Sequence, residues 1–309
     1  MASGDVVADL NYLQKLELYQ REKPFQLFIP VDPNSPDPRQ NNVEFENRPH
    51  TIRDMRPAIN DFGLDTHGFE IRPFHTSLDP DSFQKSDVVE SQYFAEVEQL
   101  LRDTLDGGFD RIFFFDWRLR NSKVAEPETL DMNDLTNWML PACRVHVDQS
   151  PRAVVHRVQL QLQDEAPYLL QGRVRIINCW RPIHNAVEDF PLAVCDSTSV
   201  PDPDLVECDH VRRRFKGATM YLYTNPEHKW YYLSQQRPDE ALIMKMFDSD
   251  STVKAKRCPH TAFQHPNRPP NCPPRTSIEV RALVFNYPPG VQPLVESSLT
   301  KAQAIESSD

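Results

Sequence analysis

"RTSIEVRALVFNY", residues 275–287, opens with polar and β-branched residues in alternation and ends in a continuous apolar run. A period of two predicts a strand on which Arg275, Ser277 and Arg281 share one face. Similar runs precede it: "GRVRIINCWRPI" (172–183), "PLAVCD" (191–196), "ATMYLYT" (218–224), "KWYYLS" (229–234) and "ALIMKMFD" (241–248), separated by Pro, Asn and Asp turns. A chain that repeats short strands in this way builds a barrel or sandwich.

The N-terminal half adds helices. "SDVVESQYFAEVEQLLRDTL" (86–105) carries apolar residues at 93, 94, 97, 100, 101 and 105, a helical stripe that Gly107-Gly108 ends. "DRIFFFDW" (110–117) suits a strand buried on both faces, and "LDMNDLTNWML" (130–140) suits a short helix. Residues 151–170 read as a helical insertion interrupted at Pro167, 24–48 as an extended Pro/Asn/Asp-rich arm, and 296–309 as a flexible tail. The expectation is one domain over 1–309, mainly β with flanking helices.

Acidic residues outnumber basic ones 45 to 34, a formal charge of -11, which repels nucleic acid. No apolar run approaches the ~20 residues that span a bilayer, and residues 1–15 lack a secretory pattern, so a cytoplasmic protein away from membranes is expected. Six cysteines without a CxxC pair suit reduced thiols. No GxGxxG or Walker pattern occurs, so the usual nucleotide cradles are absent.

The chemistry concentrates in three places. In "CRVHVDQSP" (143–151), His146 and Asp148 stand at i and i+2 on a strand-like run and can converge on one ion. His260, in "RCPHTAFQHP", is the candidate third ligand, with His265 its competitor. Two histidines and one carboxylate leave an open face on iron, where a co-substrate and O2 can bind together. Cys258 keeps a zinc site, and hence a zinc hydrolase, as an alternative. The third place is the strand at 275–281, where an arginine fork and a neighbouring hydroxyl suit a buried dicarboxylate such as 2-oxoglutarate. A solvated face with Glu279 pairing either arginine would use the same residues.

Together these motifs, with "LNYL" (10–13), "GFEIRPF" (68–74), "IINCWRPI" (176–183), "PLAVCDSTSV" (191–200), "EHKWYYLSQQRPDEALIMKMFDS" (227–249), "PHTAF" (259–263) and "SIEVRALVF" (277–285), cover nearly the whole chain. On them the sequence resembles the fungal hydroxylase/desaturase group of Fe(II)/2-oxoglutarate-dependent oxygenases, related to gibberellin desaturase and the cephamycin methoxylase subunit. The resemblance implies a double-stranded β-helix (jelly-roll, cupin-like) core with Fe(II) on His146, Asp148 and His260. It also implies 2-oxoglutarate at Arg275 and Ser277, Arg281 as a second candidate, O2 as oxidant and a small molecule of specialised metabolism as substrate. The "WRLR" at 117–120 stands where relatives carry a histidine-containing segment.

Substrate contacts are expected from Arg118, Arg120, Asn178, Trp180 and Arg181, Asn178 and Trp180 sharing a strand face. Tyr221, Tyr223, Tyr231 and Tyr232 read as core residues with satisfied hydroxyls, Lys245 and Asp248 as a buried ion pair, and His75, His156, His184, His210 and His228 as surface or capping residues. The rival from another class is a non-catalytic β-barrel that binds a small molecule without turning it over.

Overall fold

The structure, a computed structural model, describes residues 4–124, 134–213 and 216–290. Among these residues the strand runs assemble into two antiparallel-rich sheets of nine and six strands. The expected strand is Thr276–Asn286, at the centre of the smaller sheet between Arg111–Asn121 and Arg173–Pro182. Its two faces go to different cores. Leu283 and Phe285 join Ile176, Trp180 and Met244 from the same sheet against Leu10, Ile52, Val147, Val194 and Trp230 from the larger one. Ile278, Val280 and Ala282 face the other way, with Ile177, Cys179 and Ile243, onto Val97, Leu100 and Leu101 of the helix Phe94–Thr104. The smaller sheet is therefore buried on both faces, which explains its long apolar runs. The two sheets, packed face to face, form the jelly-roll of a double-stranded β-helix.

A β-bulge sets what faces the interior. Arg281 pairs with Asp116 but Ala282 pairs with Phe114, so Phe115 has no opposite residue. Before the bulge Ile112 and Phe114 pack on the helix side; after it Trp117 and Leu119 do. The extra residue switches the parity, and Asp116, Arg118 and Arg120 turn inward.

Several segments differ from expectation. Within 130–140, residues 130–133 lie outside the described residues, and Trp138–Met139 is a strand paired parallel to Leu119 and Arg120, so the helix expected there does not form at its described end. The segment 24–48 is tied to the larger sheet at both ends: Phe25–Leu27 pairs parallel to Asp209–Val211, and Phe45–Asp54 begins inside it. In 151–170 the break comes at Gln163, whose φ is 32°, after the helix Pro151–Leu162; Pro167 instead sits in the first turn of Ala166–Leu169. Residues 296–309 lie outside the described residues.

Candidate metal centre and co-substrate pocket

His146–Val147 and His260–Ala262 are neighbouring strands of the larger sheet, and His146 and His260 are direct antiparallel partners. Their rings lie 4.4 Å apart, centroid to centroid. Asp148 follows at the bend that leads to Ser150, the residue whose hydroxyl caps the helix Pro151–Leu162 at Ala153 N. The Ser-Pro break in the sequence is thus a helix start, and it fixes the chain just after the aspartate. The histidine Nε2 atoms of His146 and His260 lie 3.2 and 4.0 Å from Asp148 Oδ1. One ligand atom from each of the three residues falls within 4.8 Å of the others.

Each ring has its other nitrogen engaged. His146 Nδ1 meets the Arg144 carbonyl at 2.6 Å and His260 Nδ1 meets that of Cys258 at 3.2 Å. A carbonyl only accepts, so Nδ1 carries the proton, and a neutral ring then aims the Nε2 lone pair inward. Burial holds His260 down at about 4, so its ring is neutral near pH 7. The His260 lone pair facing the Asp148 carboxylate oxygen repels it unless a cation lies between them. The donor set therefore fits Fe(II).

Asp148 is held from behind. Its Oδ2 accepts from Asn178 Nδ2 at 2.7 Å and faces Arg281 Nε at 3.3 Å. Burial by itself would push this carboxyl up, but Arg281, then the two histidines, outweigh it and keep it well below the usual range. Arg281 departs from the expectation of a co-substrate anchor. Its guanidinium also engages Glu279 at 2.6 Å and Asp116 at 3.1 Å, so it is committed to three carboxylates. Glu279 does pair with one of the strand's arginines, but inside the barrel rather than on a solvated face.

Arg275 is the opposite case. It is 3% exposed and donates from Nη1 to the Phe190 carbonyl at 2.9 Å, while among the described residues Nε and Nη2 have no partner; neither does the hydroxyl of buried Ser277. Leaving such donors dry costs roughly 1–3 kcal/mol each. Their shared strand face presents a guanidinium and a hydroxyl to one spot, with the Trp180 ring 5.5 Å from the guanidinium carbon. A carboxylate there satisfies both, so the residues fit 2-oxoglutarate.

Arg120 faces inward and donates to the Leu140 carbonyl at 2.6 Å, and Arg118 pairs with Asp116 at 3.1 Å. Asn178 and Trp180 also face the interior, the former with its Oδ1 buried and unpartnered. Arg181 does not: period two sends it to the helix side, where it donates to Tyr93 Oη at 3.1 Å and to the Pro238 carbonyl among the rings of Phe74 and Phe83. It belongs to the outer core rather than to a substrate site. His265 stands outside the cluster, 3.3 Å from the Tyr232 hydroxyl. Cys258 is buried with its thiol pushed well above its usual range, and no cysteine joins the metal cluster among the described residues. Zinc in a closed thiolate shell is not built here.

Lys245 and Asp248, fully buried at 2.7 Å, form an ion cluster with Arg173 and Asp65, remote in character from the site. His228 is buried rather than surface, 3.0 Å from Asp204. Asp116 is the inward residue that sequence reading missed; its signal was a lone acid inside the apolar run "FFFDW".

The family model described as "Oxidoreductase/YMDC permease-like domain" matches residues 10–285. No helix among the described residues is long and apolar enough to cross a membrane. The Fe(II)/2-oxoglutarate-dependent dioxygenase nvfI of Aspergillus novofumigatus is 34% identical over 260 residues, 81% of this chain and 88% of its own length. The hydroxylase/desaturase efuI of Hormonema carpetanum is 33% identical over 79% of this chain and 85% of its own. A solved structure of the iron and alpha-ketoglutarate-dependent endoperoxidase NvfI superposes with a TM-score of 0.78 at 29% identity, covering 92% of this chain and 98% of that one. Likeness of this extent makes the chain a member of the Fe(II)/2-oxoglutarate-dependent oxygenases of fungal secondary metabolism.

Proposed function

We propose that His146, Asp148 and His260 hold Fe(II), that Arg275 and Ser277 hold the distal carboxylate of 2-oxoglutarate, and that the enzyme oxidises a C–H bond of a small molecule beside them. The observation that carries the assignment is the pair of unpartnered donors on Arg275, next to the unpartnered Ser277 hydroxyl. Bound iron with 2-oxoglutarate and O2 supplies a two-electron oxidation, and the protein positions the groups around it. Asn178 and Arg281 keep the Asp148 carboxylate turned toward the two histidines. The Trp180 ring walls the co-substrate side.

Hydroxylation, desaturation and oxidative cyclisation share this machinery and differ in where the substrate carbon rests. Relatives described as a hydroxylase/desaturase and as an endoperoxidase support that breadth. We place the enzyme in the cytoplasm, since all six cysteines are free thiols, as a reducing compartment favours. Release of succinate from 2-oxoglutarate by the iron-loaded protein, raised by a substrate and lost in Asp148→Ala, is the test. Binding without any succinate would instead support the non-catalytic barrel.

A further inference from the structure

Asn178 uses only half of its amide. The side chain is fully buried on the strand Arg173–Pro182, and its Nδ2 donates to Asp148 Oδ2 at 2.7 Å, while Oδ1 has no partner among the described residues. Chemistry fixes which amide atom is which, since a flip would set a carbonyl against a carboxylate oxygen. Other buried atoms without partners are different in kind: Trp117 Nε1, Arg175 Nε and the two Arg275 nitrogens donate, and the Ser277 hydroxyl or the His228 nitrogen can play either part. Among the described residues, Asn178 Oδ1 is the buried unpartnered side-chain atom that can only accept.

The groups around it leave it unmet. Arg281, its cross-strand partner on one side, is spent on Asp148, Glu279 and Asp116. Met244, its partner on the other side, has no donor, and Ile176 and Trp180, which flank it along the strand face, make no hydrogen bond to it. 2-Oxoglutarate is dianionic at neutral pH and carries acceptors alone, so loading the co-substrate does not satisfy the carbonyl either. An ordered water needs about two to four polar partners, and apolar Met244 and Ile176 make poor surroundings for one.

The acceptor lies within the same amide that holds a metal ligand, which puts it beside the place of reaction. A cationic donor is disfavoured there, because Arg281 faces the same Asp148 oxygen at 3.3 Å and bound iron adds further positive charge. A neutral O–H or N–H remains. We infer that Asn178 recognises the primary substrate, its carbonyl accepting a hydrogen bond from a hydroxyl or amide N–H near the carbon that is oxidised. The inference rests on the proposed oxidation at this iron, and it adds the polarity of the substrate and the residue that reads it. A site with a buried acceptor rejects an analogue that lacks the donor, because the acceptor then stays unpaired. The N–H of this amide steadies the metal carboxylate, and its carbonyl places the substrate against it.

The test uses the full-length protein loaded anaerobically with Fe(II) and 2-oxoglutarate, the metal-to-ligand charge-transfer absorption giving a separate reading of loading. Ligand-observed NMR compares bicyclic alcohols and lactams with their O-methyl and N-methyl derivatives and with the matching primary amines. The alcohols and lactams should bind about tenfold or more tightly than either other set, the scale of a buried hydrogen bond left unmade. Asn178→Leu should need more Fe(II) to reach the same absorption and, once loaded, should bind donor and methylated compounds alike; a purely structural role would weaken both and keep their ratio. Asn178→Gln, which keeps the amide and moves its carbonyl by one methylene, carries the same expectation if Asn178→Leu does not load. Equal binding within each pair, tighter binding of the amines, no binding of any alcohol or lactam, an unchanged preference in the loaded variant, or failure of both variants to load would overturn the inference. Loss of the charge-transfer absorption in the unmodified protein would instead overturn the co-substrate assignment.

Discussion

Arg275 and Arg281 sit six residues apart on one strand face and have opposite surroundings. Arg275 keeps two buried donors unpartnered, whereas Arg281 is bound by Asp148, Glu279 and Asp116. Arg275→Ala should therefore raise the KM for 2-oxoglutarate about 10- to 100-fold, because a hydrogen bond to a charged partner is worth roughly 1.5–3 kcal/mol. Arg281→Ala should instead weaken iron retention, measured as metal content after gel filtration, with a smaller change in that KM. The reverse ranking would show that the two roles are exchanged. The strand period told which side chains share a direction; it carried no information on which acids a neighbouring strand brings to meet them. His146 and Asp148 were legible for the same reason that Arg275 and Ser277 were, a spacing of two in extended chain at the end of a strand. The cross-strand register that pairs His260 with His146 is a long-range property.

At the scale of elements, strands were easier to read than their interruptions. The apolar runs of the smaller sheet were visible because both faces are buried, but the bulge at Phe115 left no mark beyond the acid that follows it. Arg118 and Arg120 face inward only because of that extra residue. The helix expected near Trp138 gave way to an edge strand because pairing with Leu119 and Arg120 outweighed local propensity.

The buried cluster on Glu240–Asp248 gives a test at this scale. Asp248 is squeezed upward by burial, but Arg173 and then Lys245 outweigh it and leave its carboxyl below the usual range. A depressed carboxyl contributes stability above the ordinary carboxylate pKa and loses it as pH falls toward the folded value. Asp248→Asn should cost roughly 1–3 kcal/mol near neutral pH, since it removes one of the two carboxylates that pair with Lys245, Asp65 being the other. The acid side of the Tm profile should also be flatter in that variant than in the unmodified protein. Equal slopes would mean that Asp248 takes no part in the linkage.

At the scale of the whole molecule, a net charge of -11 gives no hint that Arg275 is buried beside the metal-ready triad. The two cores run through sheets and helix without needing the metal, since the triad sits at strand ends. Chelation of iron should thus abolish turnover and leave the far-ultraviolet circular dichroism spectrum unchanged; unfolding on chelation would make the centre a structural one. The central claim is that His146, Asp148 and His260 hold iron while Arg275 presents 2-oxoglutarate to it. An anaerobic titration of the Fe(II)-loaded protein with 2-oxoglutarate, followed by charge-transfer absorption, measures both at once. The absorption should saturate in the unmodified protein and in His265→Ala, require about tenfold or more 2-oxoglutarate in Arg275→Ala, and be absent in His260→Ala. An absorption that survives in His260→Ala or disappears in His265→Ala would contradict the assignment.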